Sequence, residues 1–242
     1  MNTAYSENLG EKLEAELIAN QNKDDAVFLQ RFFKTGEGQY GEGDHFLGLR
    51  VPLTRSITKK YYKNLSLQDL DYLISSKWHE VRMAGLVAMV MQYPKSQNQT
   101  TLYNLYISQI GLGINNWDLV DISCPSIVGA FMFDKSHTIL FDLATEGLWQ
   151  KRVSIISTFY FLRKGKIDDT YKIAEILVND THDLIQKAVG WALREMGKVD
   201  NKKLTQFLDK YAATIPRTAL RYSLEKQPTD VKQYYMGLKN AN

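Results

Sequence analysis

Apolar residues in this chain recur at helical rather than strand spacing. Leu67, Leu70, Leu73 and Ile74 stand at i, i+3, i+4 intervals, as do Ile173, Ile176 and Leu177, and again Leu204, Phe207, Leu208 and Tyr211. Residues at those intervals share one face of a helix. No convincing alternation of apolar and polar residues marks a strand. The periodic segments run for about one to two dozen residues, a normal helix length. Short breaks separate them: Pro94-Lys95-Ser96, Gly111-Leu112-Gly113, Lys164-Gly165-Lys166 and Gly197-Lys198-Val199-Asp200. Cap-forming residues stand at several starts, with Ser66 three residues before Asp69, Ser136 before His137, and Asp168 before Asp169. The pattern predicts an all-α protein whose helices are joined by tight connections.

A longer period underlies the helical one. Val81-Arg82-Met83-Ala84-Gly85, Lys151-Arg152-Val153-Ser154-Ile155 and Gln186-Lys187-Ala188-Val189-Gly190 superimpose, with Arg82, Arg152 and Lys187 in equivalent places. Arg152 lies 70 residues after Arg82 and 35 before Lys187, and half the longer interval lands on Trp117. A period near 35 is that of helical hairpin repeats, and the Trp/Leu/Gly/Tyr pattern of tetratricopeptide repeats is missing. The expected fold is a superhelical solenoid of HEAT-like hairpins, about six of them, whose second helices line a concave surface. The expected organisation is one domain over 1–242. Irregular N-terminal helices with a glycine-rich loop at 36–43 fill 1–65, repeats fill 66–226, and a C-terminal helix fills 227–242.

Composition narrows the class. Of 242 residues 44% are hydrophobic and 24% charged, which excludes a disordered chain. The longest apolar runs, Met83 to Met91 and Val153 to Leu162, are too short to span a bilayer, and the N-terminus lacks a signal pattern. A cytoplasmic protein without a membrane partner is expected. Cys124 is the only cysteine, so an intrachain disulfide and a thiolate-rich zinc site are excluded. The four histidines, His45, His79, His137 and His182, do not stand at metal-ligand spacing. No metal or cofactor is assigned. A net charge of +3 does not by itself demand a polyanion.

One turn beyond the repeat positions stand Leu86, Asp121, Ile156 and Trp191. Each shares a helix face with its partner four residues earlier, so Trp117 and Asp121 are presented together, as are Lys187 and Trp191. Asp121 breaks an otherwise apolar series. The commoner explanation is an ion pair with a basic neighbour such as Arg152. The alternative is a carboxylate facing a cleft or a positive ligand, because an acid buried where sister repeats carry leucine and isoleucine is costly. Trp117 and Trp191 are core aromatics on residue type alone, yet both share the inferred face of Asp121. Gly190 costs about 1 kcal/mol inside a helix relative to alanine. Close approach of another backbone, or packing against the next repeat, would explain it. Basic residues cluster at Arg50 to Lys63, at Lys151 to Lys166 and at Arg217, Arg221 and Lys226. They read either as solvated helix faces or as a phosphate track. The stretch Gly36 to Gly43 holds four glycines in eight residues without the Lys-Ser/Thr of a phosphate loop, and is expected to be a flexible connection.

Three segments resemble the AlkD family of DNA alkylation repair proteins: Trp117-Asp118-Leu119-Val120-Asp121, Trp149-Gln150-Lys151-Arg152, and Ile185 to Glu195 with Gly190-Trp191. The resemblance runs from about Asp24 to about Glu225. It implies a HEAT-like superhelix around duplex DNA, acting as a monomeric, monofunctional glycosylase that releases purines carrying positive charge from alkylation at ring nitrogens 3 or 7, without deep base flipping. By the same resemblance Asp121 is the catalytic carboxylate, with Trp117 and Trp191 beside the lesion sugar. Arg152 binds the DNA backbone, and Lys187, Arg82, Arg217 and Arg221 extend the DNA contact. The chain departs from the family pattern at Asn116, where relatives can carry an aromatic, and at Phe32-Phe33, where they can carry tyrosine. Two other readings of the residues are a non-catalytic binder of duplex or branched DNA and a scaffold for proteins or acidic peptides.

Overall fold

The structure is a computed structural model, and it describes residues 8–238. Among them there are helices and turns and no strand; the β-type contacts are the isolated bridges His45–Trp78 and Ile110–Ile114. The all-α expectation therefore holds. The internal contacts fall into two compact units, Met1–Ser123 and Cys124–Asn242.

The first unit holds α1 (Leu9–Ala19), α2 (Lys23–Gln30), α3 (Val51–Tyr61), α4 (Leu67–Ile74), α5 (His79–Gln92), α6 (Gln99–Ser108) and α7 (Trp117–Cys124), whose last residue crosses the boundary. Helix α4 starts as its sequence predicts. Ser66 and Asp69 form a reciprocal capping box, which satisfies two otherwise orphaned backbone donors. Its apolar stripe, Leu70, Leu73 and Ile74, is buried against α5, and α3 packs on α5 as well. Helix α5 is enclosed along most of its length, from His79 to Met89. Leu86 sits there fully buried.

The second unit opens with a π-helical turn, Pro125–Gly129. It continues as α8 (Ala130–Met132), α9 (Thr138–Leu143), α10 (Leu148–Arg163), α11 (Asp168–Ile176), α12 (Asp183–Val199), α13 (Asn201–Tyr211), α14 (Arg217–Ser223) and α15 (Thr229–Gly237). Helix α9 packs on α10 and α11 on α12, the hairpins that the period near 35 predicts. The second helices α10, α12 and α14 lie side by side, α10 against α12 and α12 against α14. Helix α10 is the centre of this unit, with eleven of its sixteen residues buried. The expected break at Gly197 is shorter than its composition implies. Helix α12 runs through it to Val199, and Asp200 then caps α13 by accepting the Lys203 N–H at 3.1 Å.

Gly190 explains how the second helices come so close. A Cβ there would overlap the Ala219 carbonyl oxygen and lie 2.5 Å from Tyr222 Cβ, both on α14. The approaching backbone and the next repeat are one and the same neighbour.

Candidate active site

Helix α7 carries the acid that breaks the apolar series. Asn116 precedes it, fully buried, and its Oδ1 accepts the Trp117 N–H at 2.9 Å. Asp118 in the first turn accepts the Leu119 N–H at 2.9 Å and places negative charge where the helix dipole favours it. Trp117 and Asp121 follow on one face, a turn apart, and both are half-buried. At the equivalent places in α5 and α10, Leu86 and Ile156 are 0% exposed. The acid therefore occupies a register that α5 and α10 close off and that α7 leaves partly open.

A buried ionic chain holds the start of α7. Arg82 Nη2 donates to Asp44 Oδ1 at 2.6 Å, while Asp44 Oδ2 stands 2.9 Å from His79 Nδ1 and accepts from Asn116 Nδ2 at 3.1 Å. His79 Nε2 lies 2.8 Å from Asp118 Oδ2. The His79, Arg82 and Asp44 side chains are only 2%, 5% and 3% exposed. Burial opposes a charge on His79, but the charge and hydrogen bond of Asp118, and those of Asp44, outweigh it and lift the imidazole to about 9. Burial likewise works against the Asp44 carboxylate, and His79 and Arg82 overcome it, bringing Asp44 down to about 2. With His79 protonated the two carboxylates and two cations sum to zero.

Two sequence expectations change here. Arg82, expected among the DNA contacts, is enclosed, and its guanidinium is held by Asp44 and by the carbonyls of Ser76 and Lys77. It braces the glycine-rich segment instead. That segment is not a loose connection either: Asp44 anchors its end, and Gly41 N–H donates to the Lys34 carbonyl at 2.8 Å. Immediately after it, the buried Glu80 carboxylate accepts the N–H groups of Leu47, Gly48 and Leu49 at 2.8, 2.8 and 3.1 Å.

An aromatic stack converges on the same indole. Phe33 stacks on Trp117 with centroids 5.5 Å apart and planes 21° off parallel, and on Phe46 at 4.9 Å. Phe46 in turn stacks on the His79 ring at 4.7 Å. Asp44, His79, Asp118, Phe33 and Phe46 were not assigned to the site from sequence. Their partners are dozens of residues away, and the only local signal is a histidine three positions before Arg82.

The other expected residues belong to the second unit. Trp191 on α12 is half-buried, with its ring edge-on to Phe159 at 4.6 Å. The two line an open cleft of ≈ 390 Å³ with Leu162, Arg163, Glu195 and Lys198. Arg152, expected as the leading phosphate contact, is 4% exposed, and its Nη1 donates to the Leu184 carbonyl at 2.6 Å. A guanidinium so enclosed steadies the first turn of α12 rather than reaching outward. Lys187 is partly exposed and pairs with Asp183 at 2.7 Å. Arg217 is exposed and donates to the carbonyls of Met236 and Leu238, and Arg221 is exposed.

Comparison with known proteins defines the class. The family model for DNA alkylation repair enzyme matches residues 13–227. The chain belongs to this family, whose name marks its members as DNA repair enzymes. No curated protein sequence matches it. Among solved structures, one described as a predicted DNA alkylation repair enzyme from Enterococcus faecalis is similar, with a TM-score of 0.70 at 16% identity over 86% of this chain and 97% of the other. At that identity the likeness speaks for the fold. Among the described residues no helix is long and apolar enough to cross a membrane.

Proposed function

We propose that the protein is a monofunctional DNA glycosylase that releases cationic N3- or N7-alkylated purines from duplex DNA. The observation that carries this reading is Asp121: a half-buried carboxylate one helical turn from a half-buried Trp117, in a register where Leu86 and Ile156 are sealed in the core. An alkylated purine already bears positive charge and leaves neutral, so its glycosidic bond breaks without a general acid. What the protein must supply is stabilisation of the electron-poor sugar left behind. A carboxylate in a shielded setting does this electrostatically, and the negative face of Trp117 adds to it. Asp121 also accepts the proton of the attacking water. Such a site needs no deep pocket to receive a flipped base.

Duplex DNA is held by the exposed Arg163, Arg217 and Arg221 of the second unit and by the partly exposed Lys187, which supply salt-dependent phosphate contacts. Arg152 serves the same end by steadying the start of α12, the helix that carries Lys187 and Trp191. The protein acts as a cytoplasmic monomer. The test is release of 7-methylguanine from methylated duplex. Wild type is expected to excise, and Asp121→Asn to lose at least about 100-fold in rate while keeping its duplex affinity. A wild type that excises nothing would turn the reading toward a non-catalytic DNA binder, and equal excision by the two proteins would remove Asp121 as the catalytic carboxylate.

A further inference from the structure

His79 is a buried side chain that the chemistry above leaves unused. A histidine in a core needs a single hydrogen bond at each ring nitrogen, and a backbone carbonyl or a water would serve. This one instead meets a carboxylate on either side, Asp44 from the glycine-rich segment at 2.9 Å and Asp118 from the first turn of α7 at 2.8 Å. These partners lie 35 and 39 residues away in the chain. Buried ionic groups are weak sources of stability, and their best-attested use is to select one geometry among several. The geometry selected here is the start of α7. Asp118 is fixed to the helix through the Leu119 N–H, and its neighbour Trp117 is stacked on Phe33, which itself lies 4.8 Å from the His79 ring. Trp117 is half-buried on an eight-residue helix, so core packing alone does not determine its ring orientation.

We infer that His79 is a positioning residue for base excision: bridging Asp44 and Asp118, it sets the first turn of α7 and thereby the placement of Trp117 and Asp121. The inference rests on the glycosylase reading above. The charged groups that face the imidazole are Asp44 from the loop and Asp118 from α7. On its own helix Arg82 reaches it through Asp44, and the Glu80 carboxylate turns away to the Leu47–Leu49 amides. A neutral imidazole keeps one N–H. Its other nitrogen then confronts a carboxylate lone pair to lone pair, and one of the two bridges opens. Loss of the Asp118 bridge frees the turn that carries Trp117. Displacements of about 1 Å at a reacting centre can cost about 100-fold in rate.

The test uses the full chain labelled with 5-fluorotryptophan, which contains four tryptophans; the Trp117 line in the ¹⁹F spectrum is the one that disappears in Trp117→Phe. In wild type that line is expected to shift on titration with a midpoint near 9, the value to which Asp118 and Asp44 raise the imidazole. In Asp118→Asn, which keeps the shape of the contact and removes one charge, the midpoint is expected about one unit lower. Single-turnover excision of 7-methylguanine, with enzyme in saturating excess, is expected to slow about 10-fold or more in Asp118→Asn and His79→Gln. Duplex affinity should stay within about threefold of wild type, since neither side chain contacts phosphate in this reading. Folded variants that excise within twofold of wild type, or a Trp117 line that ignores the titration, would overturn this inference alone. A wild type that excises nothing would overturn the glycosylase reading, and this inference with it.

Discussion

Gly190→Ala pits two well-known effects against each other. By helix propensity, replacing a glycine inside the 17-residue α12 stabilises by up to about 1 kcal/mol. The structure reverses the sign. The added methyl would overlap the Ala219 carbonyl oxygen and lie 2.5 Å from Tyr222 Cβ, about 1 Å inside ordinary van der Waals contact. Neither obstacle can swing aside, because one is α14 backbone and the other the root of a side chain. Relief requires α12 and α14 to separate, and they are the most closely packed neighbours in this unit. Overpacking of this kind costs about 1–3 kcal/mol, and with neither obstacle able to move the upper end applies, so a net loss of about 2 kcal/mol is expected once about 1 kcal/mol of propensity is offset. Gly197→Ala is the internal control on the same helix. Its methyl would meet chiefly the far end of the Leu204 side chain, with Leu204 Cβ at 3.3 Å and no neighbouring backbone among the nearest atoms. That variant is expected within about 0.5 kcal/mol of wild type. Urea unfolding of the three proteins followed by circular dichroism gives both differences. An alanine at 190 that matches or exceeds wild-type stability would refute the close approach of α12 and α14.

Four further outcomes follow from particular contacts. His79 is raised from 6.5 to about 9, so its contribution, about 3 kcal/mol, is fully present below pH 6.5 and is lost as pH rises through 9. The stability gap between wild type and His79→Gln should therefore shrink between pH 6 and pH 10, and a constant gap in urea titrations would contradict the linkage. Asp44 is lowered from 3.8 to about 2, so its contribution is present above 3.8 and disappears as pH falls through 2. Glu80→Ala strands three backbone donors and is expected to cost at least about 3 kcal/mol, with Glu80→Gln milder; calorimetry showing Glu80→Ala unchanged would remove Glu80 as the anchor of Leu47–Leu49. Arg221→Ala is expected to lower the slope of log affinity against log salt by about 0.9 without altering excision at saturation. An unchanged slope would take Arg221 off the phosphate track.

What could be read from the chain differs between the helices and the site. The stripe Leu70, Leu73, Ile74 and the Ser66–Asp69 cap are local patterns, and they appear in the structure as written. The period linking Arg82, Arg152 and Lys187 is also visible, because each repeat builds the same hairpin. Equivalence of register did not extend to equivalence of exposure. Arg82 and Arg152 keep the repeat positions but point into polar partners in the interior, which spacing alone does not reveal. The bridge from Asp44 through His79 to Asp118 was invisible because its members share no helix face and no interval. Asn116 reads from sequence as a missing aromatic, yet it is the buried link between Asp44 and the start of α7. Phe33 gained meaning only once its ring was seen flat against Trp117.

The anchoring of the glycine-rich segment also bears on the order of events during folding. Asp44 finds its partners at residues 79, 82 and 116, so ring closure over 35 to 72 residues must precede any gain from docking. Helices α5 and α7 therefore have to assemble before residues 36–44 can lock, and those residues should be the last to acquire amide protection and the first to lose it. Protease nicking within 36–43 would then serve as a sensitive gauge of whether the surroundings of Trp117 have matured, well before global unfolding is detectable.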